Sequence, residues 1–186
     1  PLLKKEIDAI NLVIEKKREP VTCIIGGSKI STKINVITSL LEKVDNLIIV
    51  GAMANNFLLY KNLKVGKSLI ENDTKEIIEK IYKKATENNC EIMIPEDCKV
   101  GTSFNGEGKI KNFDKIHDNE IILDIGFITI NKIKDKIDQS NTVLWNGPAG
   151  YFENENFAYG TMSIAETISK NTLKKSLISV LGGGDT

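Results

Sequence analysis

Hydrophobic residues follow two alternating periodicities along this chain. Three stretches repeat apolar residues at the three- and four-residue spacing of an amphipathic helix: Leu3 to Ile14, Ile34 to Val44 and Ile77 to Ala85. Short continuous apolar runs separate or follow them, as is typical of strands covered on both faces. The six runs are VTCII (21–25), NLIIV (46–50), EIMI (91–94), EIILD (120–124), NTVLW (141–145) and SLISVL (176–181). The alternation predicts an α/β fold with a doubly wound, Rossmann-like parallel sheet of six strands and helices on both faces.

Glycine follows five of the six predicted strands. These glycines are Gly26 with Gly27, Gly51, Gly126, Gly147, and Gly182 to Gly184. Parallel sheets bind ligands at the carboxyl ends of their strands, and glycine there allows positive φ angles and close approach of the backbone to a ligand. Tight turns alone would also place glycine at these points. The number and clustering of the glycines favour a nucleotide or phosphate ligand.

Composition and charge exclude several classes of protein. The chain has 186 residues, and Lys+Arg and Asp+Glu balance at 25 each, which gives no support for a nucleic-acid or membrane surface. Cys23, Cys90 and Cys98 are widely spaced and His117 is the only histidine, so a disulfide framework, a zinc site and a histidine-activated nucleophile are not expected. The sequence shows neither a membrane-spanning apolar run nor a signal peptide, and we expect a cytoplasmic location.

Two lysines follow the first predicted strand. GGSKISTK (26–33) gives two glycines, then Lys29 and Lys33 four residues apart at the start of a helix. A helix start disfavours cations, so two lysines there indicate an anion between them, with solvated surface lysines as the alternative. GKS at 66–68 is not a P-loop, because Lys61 stands where the first glycine is required, and no GxGxxG follows the first strand.

Two further motifs carry groups suited to a nucleotide. WNGPAGYFE (145–153) places the Asn146 amide at a strand end and offers Glu153 for ribose hydroxyls. GGGDT (182–186) offers backbone N–H groups for phosphate, Asp185 for Mg²⁺ and Thr186 for a hydroxyl contact.

Five ordered motifs together resemble the carboxy-terminal, nucleotide-binding domain of phosphoglycerate kinase. They are GGSKISTK, LIIVGAMANNFL, LDIG, VLWNGPAGYFE and LGGGDT. The resemblance covers essentially the whole chain, which we expect to form a single nucleotide-binding domain over residues 1–186. Residues 1–17 resemble the helix that links the two domains of the family, and residues 99–115 form a polar, turn-rich excursion.

The resemblance implies reversible phosphoryl transfer from 1,3-bisphosphoglycerate to MgADP, giving 3-phosphoglycerate and ATP in glycolysis. It implies catalytic roles for Lys29, Lys33 and Gly184, with Lys29 on the transferring phosphoryl group and Asp185 as the Mg²⁺ ligand. Other residues would bind ADP or ATP. Those implied for the adenine pocket are Gly27, Ser28, Gly51, Ala52, Ile122 and Leu123; those for the nucleoside, ribose and phosphates are Lys33, Asn146, Pro148, Glu153, Gly183, Gly184, Asp185 and Thr186.

Five residues depart from the commonest pattern of the family. They are Thr32, Ala52, Ile122, Phe127 and Tyr151. Ala52 and Ile122 are expected to narrow the adenine pocket, whereas none of the five removes a charged group assigned to phosphate, ribose or metal.

The sequence lacks the amino-terminal domain that binds the glycerate substrate in this family. We therefore expect the chain alone to be inactive as a kinase, and the family resemblance implies a monomer. Two other hypotheses stay open: a non-catalytic nucleotide-binding module, and a Rossmann-like oxidoreductase that binds NAD.

Overall fold

The computed structural model describes residues 17–174 and 176–183. The helix predicted over residues 1–17 lies, except for Lys17, outside this part of the chain. The described strands are β1 (Val21–Ile25), β2 (Asn46–Ile49), β3 (Glu91–Met93), β4 (Cys98–Gly101), β5 (Lys109–Lys111), β6 (Ile121–Ile125), β7 (Thr142–Asn146) and β8 (Ile178–Gly182). The described α-helices are α1 (Ile30–Leu40), α2 (Ala54–Tyr60), α3 (Lys75–Glu87), α4 (Phe127–Asp138) and α5 (Tyr159–Leu173).

The main sheet is parallel, with the strand order β3-β2-β1-β7-β8. The order changes direction at β1, because β2 lies on one side of it and β7 on the other. Ile25 at the end of β1 is opposite Asn146 at the end of β7, and Asn146 is in turn opposite Gly182 of β8. The chain segments that leave these three strands therefore start at the same edge of the sheet.

Two hydrophobic cores cover the two faces of this sheet. In β1, Val21, Cys23 and Ile25 pack with residues of α1, α2 and α3, whereas Ile24 packs on the other face with residues of α4 and α5. Burial on both faces explains why the strands are continuous apolar runs without polar alternation. The predicted doubly wound α/β fold is confirmed.

The prediction of six parallel strands is wrong for one strand. The run EIILD forms β6, which pairs with β4 in the antiparallel direction and belongs to a separate three-stranded sheet of order β5-β4-β6. A buried apolar run shows that a strand is covered but does not identify its neighbour. β4 and β5 lie at the start and in the middle of the polar, turn-rich segment predicted over residues 99–115, which has no continuous apolar run to indicate a strand.

The three cysteines are free and buried. Burial raises the pKa of Cys23 and Cys98 to about 12 and that of Cys90 to about 11. All three thiols are therefore protonated at neutral pH and behave as small apolar side chains.

None of the helices in the described residues combines the length and apolar character needed to cross a membrane.

Candidate functional site

A cavity of about 680 Å³ opens at the carboxyl edge of the main sheet. Its wall is built by the segments that follow β1, β2, β7 and β8, together with β6 of the small sheet. Most of the predicted site residues line it: Gly27, Ser28, Lys33, Gly51, Ala52, Ile122, Leu123, Asn146, Pro148, Glu153 and Gly183. Residues separated by more than 150 positions in sequence thus form one site, while their individual roles remain predictions.

Of the predicted site residues that the structure describes, Lys29 alone does not line the cavity. Lys29 is exposed and directly precedes α1, where its carbonyl oxygen accepts a hydrogen bond from Thr32 Oγ1 at 2.9 Å. Gly184, Asp185 and Thr186 lie outside the described residues. Among the described residues, Lys33 and its neighbours therefore form the polar end of the cavity.

Glycine at positions 26 and 27 allows close packing of two loops at this end. A β-carbon on Gly26 would lie 2.2 Å from the carbonyl oxygen of Pro148, and Gly27 has a φ of +134°. The Gly26 N–H also donates to the carbonyl oxygen of Asn146 at 2.7 Å. The loops after β1 and β7 can approach this closely only because no side chain stands between them.

Lys33 and Asn146 bring a positive charge and an amide group together at the cavity wall. Lys33 lies in the first half of α1, and its ammonium donates a hydrogen bond to Oδ1 of Asn146 at the end of β7. The Lys33 side chain also passes over Gly27, whose missing β-carbon would lie 3.3 Å from Lys33 Cε. A flexible cation beside a glycine-lined backbone is an arrangement that can bind phosphate oxygens.

The amino terminus of α1 already has an acidic partner in the protein. Glu71 accepts hydrogen bonds from the backbone N–H and the hydroxyl of Ser31. Partial burial raises the pKa of Glu71, but the Ser31 bonds, a bond from the Ile30 N–H and the charge of Lys29 outweigh it and hold the pKa below its ordinary value. The sequence pattern gave no sign of this contact, because Glu71 is 40 residues from Ser31 in a polar turn.

The remainder of the cavity wall is largely apolar. It includes Leu58, Leu69, Phe113 and Ile122, which suit a flat, weakly polar group. At the rim, the rings of Phe104 and Tyr151 meet edge to face, with centroids 5.0 Å apart. Of these residues, only Ile122 was predicted from the sequence to belong to the site.

Asp124 is a buried carboxyl group at the cavity that the sequence did not reveal. It is 2% exposed, and its oxygens accept backbone hydrogen bonds from Ile125 at 2.9 Å and from Gly160, in the first turn of α5, at 2.8 Å. Burial raises the pKa of Asp124 to about 7, even though both bonds and the charge of Lys99 favour the ionised form. Its sequence neighbours are apolar and form no motif with it, so the role of Asp124 becomes visible only through its hydrogen bond from α5.

Metal ligands do not cluster within the described ranges: no group of three or more His, Cys, Asp or Glu side chains there could hold an ion. Asp185, the predicted Mg²⁺ ligand, lies outside them. Gly183, two residues earlier, lines the cavity at the end of β8.

Four of the five residues that depart from the family pattern lie at the cavity, and the fifth lies at the start of α4. Thr32, Ala52, Ile122 and Tyr151 line the cavity. Phe127 instead starts α4, is 54% exposed and contacts the ring of Tyr159 at a centroid distance of 5.7 Å.

Comparison with known proteins finds one family over the whole chain. The family model described as Phosphoglycerate kinase matches residues 1–186. A phosphoglycerate kinase of Wolbachia pipientis subsp. Culex pipiens (strain wPip) is 42% identical over 185 residues, which are 99% of this chain and 47% of that protein. The chain therefore spans about half the length of the curated relatives it matches.

Solved structures agree with this result. The structure of phosphoglycerate kinase from Coxiella burnetii superposes with a TM-score of 0.89 at 38% identity and covers 100% of this chain and 47% of that one. The crystal structure of the enzyme from Pyrococcus horikoshii OT3 gives a TM-score of 0.75 at 28% identity, covering 98% and 46%.

Proposed function

This chain belongs to the phosphoglycerate kinase family, and from that premise we propose that it is the nucleotide-binding half of such an enzyme. The reaction of the whole enzyme is reversible transfer of a phosphoryl group from 1,3-bisphosphoglycerate to MgADP, giving 3-phosphoglycerate and MgATP. In this proposal the chain binds ADP or ATP, and the remainder of the enzyme binds the glycerate substrate.

The observation that carries the proposal is the convergence of the loops after β1, β2, β7 and β8 on one cavity. It brings a cation and an amide together, Lys33 with Asn146, and the rest of its wall is largely apolar apart from Lys67, Asp124 and Glu153. A nucleoside diphosphate has the same division between charged phosphates and a weakly polar base. The match in chemistry along the cavity supports nucleotide binding independently of the family.

Within this site we assign the phosphates to Lys33, Asn146 and the backbone of Gly183. Phosphoryl transfer depends on positioning and charge neutralisation more than on covalent chemistry, and these groups supply both. Lys29 is exposed and directly precedes α1, and we assign it to the transferring phosphoryl group. Glu153, which also lines the cavity, is assigned to the ribose.

Mg²⁺ is assigned to Asp185. Mg²⁺ usually binds through one or two carboxylates together with substrate phosphates, so a single aspartate near the phosphates is sufficient. Gly183 lies at the cavity wall two positions before it, which fits this assignment. When bound, the ion would neutralise charge on the phosphate oxygens.

The proposal predicts that this chain alone has no measurable kinase turnover. It contributes the nucleotide site, whereas the glycerate substrate is assigned to the remainder of the enzyme; besides Lys33, Lys67 is the one other basic side chain on the described walls of the cavity. A coupled spectrophotometric assay with ADP and 1,3-bisphosphoglycerate checks this, with the Coxiella burnetii enzyme as the positive control. A fusion that adds the amino-terminal half of that enzyme to this chain should show turnover. Turnover by the unfused chain near that of the control would contradict the proposed division of roles.

A further inference from the structure

Two Asn-Gly dipeptides occur in the sequence, Asn105-Gly106 and Asn146-Gly147. An asparagine that precedes glycine is chemically reactive, because the backbone nitrogen of the glycine can attack the side-chain carbonyl carbon with no β-carbon beside it. The reaction requires that the asparagine side chain rotate toward that nitrogen. The surroundings of each dipeptide therefore decide whether the two groups can meet.

Asn105 and Gly106 lie in the turn-rich segment between β4 and β5. Asn105 is exposed, and the Gly106 N–H donates to no backbone carbonyl of the described residues. Apart from its neighbours in the chain, only Ser103 has atoms within 4 Å of a β-carbon placed on Gly106, at 3.2 and 3.8 Å. The Asn105 side chain and the Gly106 nitrogen thus have room to approach each other.

Asn146 and Gly147 are held in place by the fold. Oδ1 of Asn146 accepts a hydrogen bond from the Lys33 ammonium, and its backbone carbonyl oxygen accepts from the Gly26 N–H at 2.7 Å. A β-carbon on Gly147 would lie 2.6 Å from the carbonyl oxygen of Gly26. The Asn146 side chain cannot rotate toward the next residue without losing these contacts.

We infer that Asn105 is a site of spontaneous deamidation in this protein, whereas the fold protects Asn146. The Gly106 nitrogen loses its proton and bonds to the side-chain carbonyl carbon of Asn105, and the side-chain nitrogen leaves as ammonia. The product is a cyclic succinimide. Water then opens the ring at one of its carbonyl groups and gives aspartate or isoaspartate, in which the backbone runs through the β-carbon. No nucleotide takes part, so the inference is independent of the proposed function.

The modified residue lies where a side chain of the segment after β7 clamps the turn. Asn154 Nδ2 donates to the carbonyl oxygens of Phe104 at 2.8 Å and Gly106 at 3.4 Å. Isoaspartate at position 105 inserts one backbone carbon between these two carbonyl groups. The amides of the turn should therefore exchange hydrogen faster in the isolated isoaspartate form than in the unmodified chain. Unchanged exchange would overturn this consequence.

Incubation of the folded chain at mildly alkaline pH, followed by proteolysis and peptide mass spectrometry, tests the inference. Exchange of the amide for a carboxyl group raises the peptide mass by about 1 Da. We expect Asn105 to convert at least about tenfold faster than Asn146, whose reaction must wait for local opening of the fold. In guanidinium chloride the two rates should become similar. Equal rates in the folded chain, or no conversion at Asn105, would overturn the inference.

The variant Gly106→Ala keeps Asn105 but places a β-carbon beside the attacking nitrogen. Gly106 does not have a positive φ, so alanine is compatible with the turn. Conversion at Asn105 should slow by about tenfold in this variant. Thr102→Ala, at an exposed position of the same segment, is the control and should keep the original rate. A Gly106→Ala protein that converts as fast as the unmodified chain would contradict attack by the Gly106 nitrogen.

Discussion

Replacing Lys33 with alanine will weaken MgADP binding by about ten- to a hundredfold. The Lys33 ammonium lies at the cavity wall, where it donates to Oδ1 of Asn146. Hydrogen bonds between charged groups contribute about 1.5–3 kcal/mol each, which corresponds to this loss of affinity. Isothermal titration calorimetry of the variant with MgADP measures the effect directly.

A matched control separates the position of the charge from the charge itself. Lys80→Ala removes a lysine from the exposed face of α3 and should leave the affinity for MgADP unchanged. Both variants lower the net charge of the chain equally, so a non-specific electrostatic effect would appear in both. If a folded Lys33→Ala protein binds MgADP as tightly as the unmodified chain, Lys33 does not bind the phosphates.

The second large effect is a loss of stability with rising pH that originates at Asp124. Burial raises the pKa of this carboxyl to about 7. At pH values between the ordinary pKa of an aspartate side chain and this raised pKa, Asp124 is protonated in the folded chain and ionised in the unfolded chain. Stability is therefore greatest at the acid end and falls as the pH rises through this window, by about 1.4 kcal/mol for each unit of pKa shift.

Urea unfolding between about pH 5 and pH 8 checks this dependence. Glu71 and Glu120 have lowered pKa values, so the stability they contribute is lost only below about pH 4.5 and stays outside the measured range. The variant Asp124→Asn should flatten the curve of unfolding free energy against pH, whatever its absolute stability. Asp135→Asn, at an exposed position of α4, should keep the slope of the unmodified chain. Parallel curves for Asp124→Asn and the unmodified chain would show that the dependence arises elsewhere.

The main sheet was predictable because strands that are buried on both faces are continuous apolar runs in the sequence. β1 and β7 are continuous apolar runs followed by glycine, and both lie in the parallel sheet at the edge of the cavity. β6 is also part of a continuous apolar run, but it pairs with β4 in the small sheet. Hydrophobicity indicates that a strand is buried and does not identify the neighbouring strand. Strand pairing depends on long-range geometry that no short window of sequence contains.

The site was predictable where a short motif carried the chemistry. The glycines and lysines of 26–33 and the amide of Asn146 were evident, and Lys33 and Asn146 meet in the structure although 113 positions separate them. Asp124 was not evident, because it is a single polar residue whose significance depends on its burial and on a partner from a distant segment. Polar residues of this kind become informative only once their surroundings are known.

Titration calorimetry of the unmodified chain with MgADP and, separately, with NAD tests the central claim most directly. A nucleotide-binding half of a phosphoglycerate kinase should bind MgADP at one site per chain and should show no heat of binding with NAD. The dinucleotide would require a Rossmann fingerprint after β1, where this sequence has GGSKISTK instead. Binding of NAD without binding of MgADP would contradict the account.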